Sequence, residues 1–240
     1  QLRVCQALIK ELKYFLFDDP SALCNGCLCL LAAENANALE KASKTLHAIC
    51  KKFPTHIQSH IASACALYAQ QLPNKAISLL ERYIVENKKK MKLEGYQYFE
   101  DFQELMLTLL QLKMNQMIGD CEGDHDREEV EMKEEMQAIQ KMCLDILQKD
   151  ASCSKAWELC AIATEKQGNI ESACIHFKTA WDLHNKKNAL LGYYLARTLL
   201  KLKRYMECID IAHQVVDIDR SYKHIENIIE LALSRVRNMI

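Results

Sequence analysis

Apolar residues recur along this chain at the three- and four-residue spacing of a helix rather than alternating as in a half-buried strand. Leu2, Cys5, Leu8, Leu12 and Phe15 trace one such face, and Ala173, Phe177 and Ala180 another. Ile225, Ile228, Ile229 and Leu231 trace a third, with Arg235 and Arg237 near the helix end where cations meet the negative pole of the macrodipole. The pattern also repeats at a fixed distance. Pro20 and Pro54 lie 34 residues apart, and so do Ala42 and Ala76. Only 6 Gly and 3 Pro interrupt 240 residues, too few for the turns of a sandwich or barrel, so the chain is expected to be all-α.

A 34-residue period is that of the tetratricopeptide repeat, whose pattern is W-x2-L-G-x2-Y, then A-x3-F, then P. Trp157, Cys160, Ala161, Thr164, Ala173, Phe177 and Ala180 fall on its successive positions, with Gly168 at the turn between the two helices. Ala161 and Ala173 are expected to face each other where the helices cross, because only small side chains let two backbones approach closely. The next unit, 35 residues on, carries Leu195, Ala196 and Leu199, then Cys208, Ala212 and Val215. Upstream, Ser63, Ala64 and Leu67 pair with Ala76, Leu80 and Tyr83, while Cys29, Leu30 and Ala33 pair with Ala42, Leu46 and Ile49. The chain therefore resembles a right-handed α-solenoid of tetratricopeptide helix-turn-helix units over residues 1–240. Residues 1–19 read as the second helix of a unit whose first is missing, so the sequence reads as a fragment of something longer. Residues 222–238 read as a helix capping the stack.

One unit is stretched. Helices are expected from about Tyr98 to Met114 and from about Glu134 to Gln148, with Ile139, Cys143 and Ile146 in the second-helix positions. The segment between them, 116–135, holds nine acids against Arg127 and Lys133, which predicts a mobile acidic loop whose final part extends the second helix. Its alternating acids resemble a calcium loop from Asp120 to Glu131. The glycine that such a loop needs at its sixth place is replaced by His125, so the reading is an acidic segment, solvated or binding a partner, rather than a metal site.

Overall charge adds little: Lys+Arg 31 and Asp+Glu 32 leave a formal net charge of -1, which gives no global attraction to nucleic acid or an anionic membrane. The run Lys88, Lys89, Lys90, Lys92 reads as a solvated helix end, or as a local patch for an acidic protein surface or lipid headgroups. No apolar stretch reaches the ~20 residues of a membrane span. Twelve cysteines sit mostly in apolar helical stretches, which favours reduced, buried thiols over a disulfide framework. Cys24, Cys27 and Cys29 lack a second ligand pair for zinc, and His56 and His60 lack the acid between them that a metalloprotease needs. No nucleophile elbow, Walker loop or dinucleotide fingerprint is present. No cofactor, metal, small-molecule substrate or nucleic acid is expected, and an α-helical zinc enzyme built on these His and Cys residues is the weakest reading.

Solenoids of this kind bind proteins. A clamp for a C-terminal carboxylate needs Lys, Asn and Arg at positions five and nine of successive first helices. Here those places hold Cys27 and Leu31, Ile61 and Cys65, Glu158 and Ile162, then Tyr193 and Arg197. Apart from Arg197 nothing matches, so the inner face reads as an apolar groove for a helix or another solenoid. The candidate partner-binding residues are Trp181, Tyr193, Tyr194 and Arg197, with inter-repeat packing as the alternative role for Trp181 and Tyr194. Ala42, Ala64, Ala76, Trp157, Ala161, Ala173, Phe177, Ala180, Ala196 and Cys208 are read as repeat packing.

From Cys153 onward the resemblance narrows. Ser154-Lys155-Ala156-Trp157, Ala180-Trp181, Gly192-Tyr193-Tyr194-Leu195-Ala196, Leu202-Lys203-Arg204-Tyr205 and Ile209-Asp210-Ile211-Ala212-His213-Gln214-Val215 resemble, in order and spacing, the C-terminal end of the large tetratricopeptide subunit of intraflagellar transport complex A. That resemblance implies a non-catalytic scaffold in the cytoplasm, the cilium and the ciliary base. It would contact other complex A subunits and act in retrograde transport and ciliary cargo entry. It transfers no single functional residue. The acidic insertion and the cysteine-rich first unit depart from the family. The alternative is a tetratricopeptide adaptor or co-chaperone in another cytosolic assembly.

Overall fold

A computed structural model describes residues 19–32, 36–87, 96–120, 128–220 and 222–238. Among them lie eleven helices and no strand. They are α1 (Pro20–Leu31), α2 (Ala36–Lys52), α3 (Ile57–Ala69), α4 (Pro73–Asn87), α5 (Tyr96–Asp120), α6 (Glu128–Leu147), α7 (Ser154–Lys166), α8 (Ile170–Leu183), α9 (Ala189–Lys201), α10 (Tyr205–Ile218) and α11 (Lys223–Arg237). The expected helix over 1–19 falls outside the described residues apart from Asp19, as do the Lys88–Lys92 run and residues 121–127 of the acidic segment.

The chain divides into two compact units, residues 1–116 and 117–240. In the first, α1 packs on α2 and also on α3, and α3 packs on α4. In the second, each helix from α6 to α11 packs on the next, and α9 also reaches α11. Contact with both the next helix and the one after it is how stacked helix pairs bury a face that no pair can bury alone.

The close crossings are made by small residues. Ala42, Ala64 and Ala76 in the first unit, and Ala161, Ala173, Ala180, Ala196 and Cys208 in the second, are fully buried. Phe177 fills the second core beside them, while Trp157 is only half buried and donates its indole N–H to the Ala151 carbonyl at 2.9 Å.

The turn between paired helices is the same object three times. Gln71, Gly168 and Lys203 all take a left-handed backbone, with φ of 62°, 89° and 61°. In each the left-handed residue's N–H and the following N–H bond back into the last turn, as in Gly168 N–H to the Glu165 carbonyl and Asn169 N–H to the Thr164 carbonyl. These are Schellman closures, which satisfy carbonyls that a helix end leaves orphaned. At helix starts Asp19, Asn169 and Asn188 accept N–H bonds from the first turn, and so does the His56 ring through Nδ1.

Two expectations change. In α1 the buried stripe is Leu23, Cys24, Cys27 and Leu30, and Cys29 is exposed. Cys29 lies two residues past Cys27, roughly 200° around the helix, so it cannot share the face turned towards α2 and α3. Within 116–135, residues 116–120 belong to α5 and 128–135 to α6, leaving only 121–127 between the helices.

Candidate protein-interaction face

The side chains that stand out for recognition gather on α9 in the second unit. Asn188 starts this helix by accepting from the Leu190 and Leu191 N–H groups at 3.1 and 3.3 Å. That cap fixes its rotation: Leu191, Leu195, Ala196 and Leu199 turn into the core, and Tyr193, Tyr194 and Arg197 fall on the half-buried side.

Tyr193 sits at the centre of an aromatic group, 5.7 Å from Tyr194, 5.6 Å from Tyr222 and 6.3 Å from His224, centroid to centroid. Tyr194 in turn stacks on Phe177 at 5.5 Å, which ties the surface ring to the core. The Arg197 guanidinium lies over both tyrosines, 5.1 Å from the Tyr194 ring and 5.9 Å from that of Tyr193. Such cation–π contacts hold the guanidinium flat against the rings.

Glu165, near the end of α7, anchors the other edge. Its carboxylate accepts from Arg197 Nη2 at 2.6 Å and from Lys201 Nζ at 2.7 Å, and its side chain is 8% exposed. One carboxylate thus faces two cations, and the site keeps a net positive charge. Burial pushes the Tyr194 hydroxyl above its ordinary range, with Arg197 opposing. Tyr222 moves the same way, first through burial and then through Tyr194 and Tyr193. Both phenols therefore stay neutral hydrogen-bonding groups.

Trp181 does not belong to this surface. It is 1% exposed, one of the largest side chains in the core, and packs beneath α9. Of the places expected to line an apolar groove, Cys27 and Ile61 in the first unit and Glu158 in the second are buried, while Leu31, Cys65 and Ile162 are half-buried, and Glu158 holds Lys155 at 3.0 Å. What remains open around Tyr193 and Arg197 is aromatic and charged. Glu165, Tyr222 and His224 were missed by the repeat pattern. The signal for Glu165 is a carboxylate 32 residues before Arg197, one repeat less a helical turn, which brings opposite charges together on neighbouring first helices.

The other candidates do not converge. Cys24 and Cys27 are buried while Cys29 points out, and burial pushes Cys24 up to about 11, Cys208 to about 11 and Cys143 to about 12. These thiols stay protonated and pack as small apolar groups. His56 caps α3, and His60 lies 3.1 Å from the Pro54 carbonyl through Nε2. No group of three or more His, Cys, Asp or Glu that could hold a metal occurs among the described residues, and none of their helices is long and apolar enough to cross a membrane.

Residues 128–233 match the family described as the tetratricopeptide repeat protein 21 C-terminal ARM domain. Tetratricopeptide repeat protein 21B of Homo sapiens is 26% identical over 238 residues, covering 98% of this chain and 16% of the relative. The same protein of Mus musculus is 28% identical over 239 residues with the same coverage. The chain thus spans about a sixth of the curated relatives it matches. Among solved structures, a thermophilic TPR protein of Thermus thermophilus superposes with a TM-score of 0.63 at 14% identity, covering 88% of this chain and 98% of that one. The fold is that of tetratricopeptide proteins, and the chain resembles the C-terminal region of tetratricopeptide repeat protein 21.

Proposed function

We propose that this chain is part of a non-catalytic scaffold of intraflagellar transport complex A, contacting other protein subunits and serving retrograde ciliary transport and cargo entry from the cytoplasm and ciliary base. The observation that carries the reading is the similarity to tetratricopeptide repeat protein 21B across 98% of the chain. The geometry agrees with a binding role. Tyr193, Tyr194 and Arg197 are held by Phe177 and Glu165 before any partner arrives, so little side-chain entropy is lost on docking. Tyr and Arg are also the residue types that dominate interface energetics.

The test is an affinity pull-down of the tagged chain from ciliated-cell lysate, cross-linked and read by mass spectrometry, with Ala173→Arg as the unfolded control. Recovery of complex A subunits by the folded chain alone, with cross-links near α9, is expected. Recovery of chaperones in their place would favour a co-chaperone adaptor and overturn the reading.

A further inference from the structure

A second surface lies beyond the Tyr193 face and shares only Lys201 with its edge. A groove of about 600 Å³ opens between the α9–α10 corner and α11. Leu200 and Tyr205 come from the corner and Leu231 from α11, and Lys201, Lys203 and Arg235 stand around them. Ile225, Ile228 and Ala232 turn α11 inward, which leaves Leu231 52% exposed on the flank that faces the groove.

No carboxylate lines this groove, and neither Lys203 nor Arg235 has a carboxylate partner among the described residues. Lys201 shares Glu165 with Arg197, so those three groups together leave one positive charge. With Lys203 and Arg235 the total is three. Helix C-termini bear on the groove from α9 and α11, each worth about half a negative charge, and the α10 N-terminus returns about half a positive one. The helix ends together amount to about half a negative charge, so at least about two positive charges remain beside an exposed leucine. A solvated helix end does not need that surplus.

We propose that this groove docks an acidic amphipathic helix of a partner protein. Its carboxylates would meet Lys203, Arg235 and the shared Lys201, and its apolar stripe would cover Leu231 and Tyr205. Charge complementarity selects the sign of the partner, and the aliphatic floor selects a helix with an apolar stripe over a free anion. This goes beyond the complex A reading and stands or falls on its own, because its test needs only the purified chain.

The experiment is fluorescence anisotropy of the full 240-residue chain with a labelled synthetic helix of about 18 residues, five turns, carrying a leucine stripe flanked by glutamates. The same peptide with Gln for Glu is the neutral control, and phosphatidylserine vesicles are the lipid comparison. Saturable binding is expected, weakening with added salt and about tenfold in Lys203→Glu with Arg235→Glu, since each exposed pair contributes up to about half of that on a logarithmic scale. Leu231→Ser, which removes only an exposed side chain, should weaken it several-fold and guards against misfolding of the charge-reversed form. Equal binding by the double variant, equal binding of the glutamine peptide, or no saturable binding overturns the proposal. Binding to vesicles in preference to the peptide overturns it in favour of a lipid surface.

Discussion

Trp181 lies against the bare backbone of Gly192: a Cβ added at Gly192 would sit 2.8 Å from Trp181 Cζ3 and Cη2, and 2.4 Å from Val215 Cγ2. In the preceding unit the equivalent place on the first helix is taken by Trp157. Here the ring comes from α8, and the glycine makes room for it.

Gly192→Ala is therefore expected to destabilise the second unit even though alanine is the better helix former by about 1 kcal/mol. Overpacking costs about 1 to 3 kcal/mol, and a 2.4 Å contact with a β-branched side chain on a neighbouring helix lies at the upper end. The net loss should be about 1 to 2 kcal/mol in urea denaturation followed by tryptophan fluorescence. Gly192→Ala with Val215→Ala should lose less than the sum of the two single changes, because the second removes the tightest contact. Strict additivity would show that the helices simply move apart.

The left-handed turns make a prediction of opposite sign. Gln71 and Lys203 hold a conformation that costs an L-residue about 1 to 2 kcal/mol, while Gly168 holds it freely. Lys203→Gly should stabilise the chain by about 0.5 to 1 kcal/mol, the gain being reduced by the larger unfolded-state freedom of glycine. Gly168→Ala should cost about 1 kcal/mol for backbone reasons alone, since an added Cβ there meets nothing within 4 Å. Thermal unfolding of the two variants should shift in opposite directions.

The sequence made the repeat legible because its signals are local: the spacing of Ala161, Ala173, Phe177 and Ala180 reports a helix face, and that face is what packs. It failed where the outcome depends on which neighbour fills a gap. Trp181 carries two readings in the sequence, inter-repeat packing and partner anchor, and burial decides for packing; nothing in its own helix shows that Gly192, eleven residues on, leaves a space of matching shape. Cys29 looked buried because Ser63, 34 residues on, holds a packing position; α1 keeps that register at Leu23, Cys27 and Leu30, but Cys29 itself turns outward. Glu165 was invisible to a search within single repeats, since its two partners lie on the next first helix.

Glu165 supplies the test of the α9 face itself. Glu165→Ala would leave Arg197 and Lys201 together with no counter-charge, one of them half buried against two rings. Breaking a buried pair from one side costs about 3 to 5 kcal/mol, but these cations are 35% and 48% exposed, so about 1 to 2 kcal/mol is expected here. Glu165→Ala with Arg197→Ala should recover part of that loss. A double variant as unstable as the sum of the singles would mean that the ion pair does not act as a unit.

His56 makes the stability of the first unit depend on pH. Its Nδ1 accepts the Ser59 N–H at 3.3 Å as the N-cap of α3, so the ring proton sits on Nε2, 3.1 Å from the Ser21 hydroxyl. A second proton on Nδ1 would abolish the cap, which is worth about 1 kcal/mol. Burial lowers the His56 pKa in the folded chain below its ordinary value of 6.5, with Asp101 and Asp19 opposing. His60 is lowered as well, first by burial, with the Pro54 carbonyl opposing and His56 adding to the shift. A histidine whose folded pKa lies below its unfolded value binds fewer protons when folded, so stability rises with pH across that interval. The full contribution is present above pH 6.5 and is lost as pH falls below it. Urea midpoints should drop between pH 7.5 and pH 5.5, and His56→Asn, which keeps a capping acceptor that cannot titrate, should flatten part of that slope while holding the midpoint at pH 7.5. An unchanged slope in His56→Asn would assign the pH dependence to His60 and the other buried rings.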